Sequence, residues 1–99
     1  MRARPTAGPK IRRLPGPAHT IPLQTGHTVY EVTLSAVPSR PWRAAFVRPP
    51  ARLTTVRFPP AAVSLHGATV TFRATPARLP SWLRRIDRWI EYANSVVEA

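Results

Sequence analysis

The chain reads as a small α+β fold: a mostly antiparallel sheet of three to four strands, covered on one face by a C-terminal amphipathic helix. Three observations carry that reading. Residues 27–36 alternate apolar and polar side chains, Gly67 divides two β-rich runs at hairpin spacing, and residues 82–97 set apolar side chains at helical intervals. Period-2 and period-3.6 patterns in separate blocks favour strands layered against a helix. Ninety-nine residues suit a single domain.

Residues 1–24 are expected to form a disordered basic arm, with the domain occupying 25–99. The arm carries Arg2, Arg4, Lys10, Arg12 and Arg13, no acid, and prolines at 5, 9, 15, 17 and 22. Its apolar residues follow neither period, so little surface burial offsets the entropy of ordering it. Proline at this density also blocks a regular helix.

Order is expected near Gly26. In the strand that follows, Tyr30, Val32, Leu34 and Ala36 share one face, while Glu31, Thr33 and Ser35 share the other. Pro38 ends it. Residues 40–48 favour a short helix, with Pro41 in its first turn and Trp42 and Phe46 on one face at i,i+4; a second strand is the alternative. Leu53–Phe58 is β-rich but is truncated by Pro59 and Pro60, which suits an edge strand or an extended loop. Val63–His66 and Ala68–Ala74 then form a hairpin about Gly67, with Val63 and Leu65 facing Val70 and Phe72.

The last helix is the most strongly patterned element. Trp82, Ile86, Trp89, Ile90, Ala93 and Val97 trace one apolar stripe, widened by Leu83 and Val96, with Ser81 as the expected N-cap. Arg88 and Glu91 are placed to pair at i,i+3.

Composition narrows function more than any motif does. Lysine and arginine number 15 against four acids, a formal charge of +11, which favours a polyanionic partner. Codon bias toward G and C accounts for arginine over lysine but not for the scarcity of acids. Cysteine is absent, which excludes disulfides, thiolate metal sites and cysteine nucleophiles. No apolar run reaches membrane-spanning length and no secretory h-region follows Met1, so the cytoplasm is the expected location. His19, His27 and His66 lack metal-ligand spacing, and the four dispersed glycines form no phosphate loop. Asp87 and Glu91 read as surface ion-pairing groups rather than a catalytic dyad. Neither catalysis nor a cofactor is expected.

The candidate site is therefore a basic one. Arg78, Arg84, Arg85 and Arg88 cluster around the start of the last helix, where cations oppose the helix dipole unless an anion is bound. Arg84 and Arg88 share a face, while Arg85 lies about 100° from Arg84, so the first two are expected to act together. Trp42, between Arg40 and Arg43, is a candidate exposed stacking platform for a nucleic-acid base. Two functions fit. One is a non-catalytic binding module for nucleic acid or a ribonucleoprotein. The other is a protein-interaction subunit (adaptor, immunity or antitoxin-like) binding an acidic protein.

Overall fold

The structure, a computed structural model, describes residues 10–16, 19–23 and 26–98. Four strands build one antiparallel sheet: β1 (His19–Pro22), β2 (Thr28–Thr33), β3 (Val63–His66) and β4 (Thr69–Ala74), in the order β1-β2-β4-β3. Two helices, α1 (Arg40–Val47) and α2 (Leu79–Glu98), complete the α+β fold.

The alternation in β2 sorts as its sequence dictates. Tyr30 and Val32 are buried, Leu34 just beyond the strand is buried too, and Thr33 is exposed. The hairpin has the anticipated register, Val63 opposite Phe72 and Leu65 opposite Val70, with Gly67 at a positive φ of 58°. That left-handed conformation costs other L-residues sterically, which is why a glycine holds the turn.

α1 is a helix, not a strand. Ser39 caps it, its hydroxyl accepting from the Trp42 backbone N–H, and Pro41 sits in the first turn where its missing N–H costs nothing. Trp42 and Phe46 are its buried residues; their rings stack 5.2 Å apart. Phe46 meets Trp89 of α2 edge-on at 6.2 Å, which joins the two helices. On the sheet side, Trp82 stacks on Phe72 at 5.5 Å and Phe72 on Tyr30 at 5.7 Å. The core thus lies between α2 and one face of the sheet, and Ile86, Trp89 and Ala93 are fully enclosed in it.

Four expectations need correction. The expected arm is docked from Lys10 to Leu23 wherever it is described, and only residues 1–9, 17, 18 and 24 of it lie outside the described residues. β1 pairs with β2, Leu14 N–H donates to Thr33 C=O at 2.8 Å, and Ser35 N–H donates to Arg12 C=O at 2.8 Å. Backbone hydrogen bonding, which needs no apolar pattern, holds much of this segment. Second, of the two readings of Leu53–Phe58 the loop holds and the edge strand does not. A 3-10 turn at Ala51–Leu53 precedes a bent segment, and Leu53 C=O points at α2, where it accepts from Trp89 Nε1 at 2.8 Å. Phe58 then folds inward against Trp82 at 4.9 Å. Third, Ser81 is not a cap: α2 begins two residues earlier, continuing from a 3-10 turn at Pro76–Arg78. Fourth, the apolar stripe stops at Ala93, and Val96 and Val97 are exposed, as is Ala36 beyond β2.

Candidate functional site

Arg84, Arg85 and Arg88 all lie beyond the first turn of α2, so the helix dipole weighs on them less than their sequence position suggests. At about 100° per residue they span an arc of roughly 100°, with Arg88 between the other two. Together with Phe58 and Ser81 they line one concavity of about 240 Å³. Arg85, about 100° round the helix from Arg84, reaches the same concavity because its long side chain bends back over the 51–58 segment. Arg85 Nη1 donates to Leu53 C=O at 3.2 Å, and its guanidinium carbon sits 5.4 Å from the centre of the Phe58 ring, a cation–π contact. Arg84 Nη2 donates to Ser81 Oγ at 3.2 Å.

Among the described residues, none of these three guanidinium groups has a carboxylate within ion-pairing distance. The anticipated Arg88–Glu91 pair is not formed. The other nearby acid, Asp87, is taken by a partner 74 positions away. Arg13 donates Nε and Nη2 to its two carboxylate oxygens at 2.8 and 2.9 Å. Those hydrogen bonds raise the Arg13 pKa above the ordinary arginine range, against the opposing effect of its partial burial. Nothing about Asp87 and Arg13 in the sequence marks them as a pair.

The remaining candidates disperse. Arg78 is exposed on the preceding turn and does not line the concavity. Arg40 is exposed on α1, whereas Arg43 donates to Leu65 C=O at 3.4 Å, covering the edge of β3. Lys10 and Arg12 are exposed on the docked segment; Arg2 and Arg4 lie outside the described residues.

Trp42 is not a stacking platform. It is 2% exposed, and its Nε1 donates to Asn94 Oδ1 at 2.9 Å. The i,i+4 spacing with Phe46 already placed it on a buried stripe, and the flanking arginines misled.

Asn94 was missed altogether. Besides Trp42, its Oδ1 accepts from Ile11 N–H at 3.2 Å and its Nδ2 donates to Ile11 C=O at 2.8 Å. One side chain thus ties the N-terminal segment, α1 and α2 together.

The sheet face away from the helices presents Val29, Thr71 and Arg73, each half-buried or exposed. It holds a larger concavity of about 670 Å³ lined by His27, Val29, Ser64, Thr71 and Arg73 among others, but with a single guanidinium group. His27 and His66 do not meet. One precedes the Thr28–Ala74 end of the sheet and the other pairs with Thr69 at the opposite end.

No known protein family, curated protein or solved structure matches the chain. The described residues contain no helix long and apolar enough to cross a membrane.

Proposed function

We propose that the protein is a small non-catalytic binding module of the cytoplasm. Its α2 arginines seat phosphates of single-stranded nucleic acid, free or within a ribonucleoprotein. The observation that supports this reading is the convergence of Arg84, Arg85 and Arg88 on one concavity with no carboxylate of the described residues within ion-pairing distance. Like charges held this close repel, and a phosphate bridging them removes the repulsion while accepting their hydrogen bonds. The formal charge of +11 adds long-range attraction to the same class of ligand.

Fluorescence anisotropy of a labelled single-stranded RNA, titrated at several salt concentrations, tests it. Arg84→Gln/Arg88→Gln is expected to weaken binding tenfold or more, roughly 1.4 kcal/mol. Two lost phosphate contacts should also make the salt slope shallower by about 1.4, at roughly 0.7 per phosphate on a single strand. Melting of the free protein should stay level or rise slightly. A nuclease-resistant, saturable complex recovered from lysate at physiological salt, with no RNA binding, would instead favour an acidic protein partner.

A further inference from the structure

The arginine concavity does not end at Arg88. That residue also lines a second concavity of about 400 Å³, shared with Arg52, Leu53, Glu91, Tyr92 and Ser95. Arg88 and Tyr92 are one helical turn apart, about 6 Å along the axis. A phosphate held at Arg88 therefore has an aromatic ring and a carboxylate next to it on the same flank. Tyr92 is half-buried and Glu91 exposed. Ser95 Oγ donates to Tyr92 C=O at 2.7 Å, which fixes the far wall. Glu91 stands one turn from Arg88 without pairing with it, so both remain able to meet a ligand.

We infer that this second concavity is a base-reading subsite for an unpaired guanine, an inference that rests on the proposed phosphate site beside it. Three features define the ligand. Cations from Arg88 and Arg52 take the backbone phosphate, and the Tyr92 ring offers a stacking surface for a splayed base. The Glu91 carboxylate can only accept hydrogen bonds, and it offers two oxygens side by side. Guanine presents adjacent N1–H and N2–H donors on its Watson–Crick edge and satisfies both oxygens. Uracil presents one N–H between two carbonyls that repel the carboxylate. Adenine and cytosine, each with an amino donor next to an acceptor nitrogen, fall between. A base in a duplex has this edge occupied, so the subsite selects single strands.

The test compares two labelled eight-nucleotide RNAs, one all uridine and one with a single central guanosine. The wild-type chain is expected to bind the guanosine-containing strand about tenfold more tightly, within the range of a bidentate base contact. Glu91→Gln should bring the two to the same affinity without weakening the uridine strand. Tyr92→Leu should weaken both strands alike, and Tyr92→Phe should restore both; a thermal melt of each variant checks that the fold is kept. Equal wild-type affinities, with salt dependence and the Arg84/Arg88 effect intact, would overturn the guanine subsite and leave the phosphate reading standing. So would a preference that survives Glu91→Gln. Failure to bind either strand would overturn both.

Discussion

Asn94 offers the most exacting test of how the molecule is held together. Its side chain makes three hydrogen bonds, to Ile11 N–H, Ile11 C=O and Trp42 Nε1. In Asn94→Ala all three vanish with unequal consequences. The Trp42 indole is 2% exposed, so its N–H has no ready access to water and carries an unsatisfied-donor penalty of about 1–3 kcal/mol. The two Ile11 groups are half-buried and partly recover water, costing about 0.5–1 kcal/mol each at most. The sum is roughly 2–5 kcal/mol, which lowers the melting temperature by on the order of 10–40 °C in a domain this small. Asn94→Asp keeps the two acceptor roles but turns the donation to Ile11 C=O into a clash of two acceptors, so it should recover only part of the alanine loss. Thermal denaturation by circular dichroism gives the magnitudes. Hydrogen exchange at the amides of residues 11–14 reads the docking directly, and those amides should lose protection in Asn94→Ala. If Asn94→Ala melts within a few degrees of wild type with residues 11–14 still protected, the side chain is incidental and the segment is held by β-type backbone bonding alone.

Other outcomes follow from the same geometry. Trp89→Ala removes a fully enclosed ring and its bond to Leu53 C=O, so a loss of about 3–5 kcal/mol and of cooperative unfolding is expected in urea titration. Gly67→Ala should cost about 1 kcal/mol purely through its positive φ, since nothing lies within 4 Å of the added Cβ; Gly67→Asn should cost less. Asp87→Asn should cost under about 1 kcal/mol, because the carboxylate is 42% exposed. Arg13 has its pKa raised by Asp87, so its share of that stabilisation is present at every pH below the arginine range and lost only as pH rises through it. Titrating Arg13 therefore gives no stability change between pH 6 and 9. Deleting residues 1–22 takes away β1, Ile11 and Arg13 together, and calorimetry should show a large loss.

The elements written into contiguous sequence were legible. The hairpin register followed from alternation on either side of Gly67, and α2 from the spacing of Trp82, Ile86 and Trp89. α1 was favoured over a strand by Pro41 and the Trp42–Phe46 interval. β1 was not legible because all four of its residues are exposed. A strand held at a sheet edge by backbone bonds alone leaves no hydrophobic signature. Phe58 hid for a similar reason: an inward turn of a proline-bounded loop has no period. At the site, the arginines were found by charge, but their convergence depends on the Leu53 carbonyl and the Phe58 ring that anchor Arg85, contacts spanning 32 and 27 positions of the chain.

The strand order has a consequence for how the chain reaches this state. β2 and β4, the two central strands, are separated by more than thirty residues, whereas β3, β4 and α2 are consecutive. The C-terminal third can therefore assemble early through short loop closures, while β2 and α1 must wait for it. During synthesis the order is reversed. β2 emerges before its neighbour β4 and its covering helix α2, so the apolar side chains of Tyr30, Val32 and Leu34 precede the elements that bury them. Until β4 and α2 have been made, the nascent chain carries an uncovered apolar strand, the condition under which association with chaperones or with other nascent chains competes with folding.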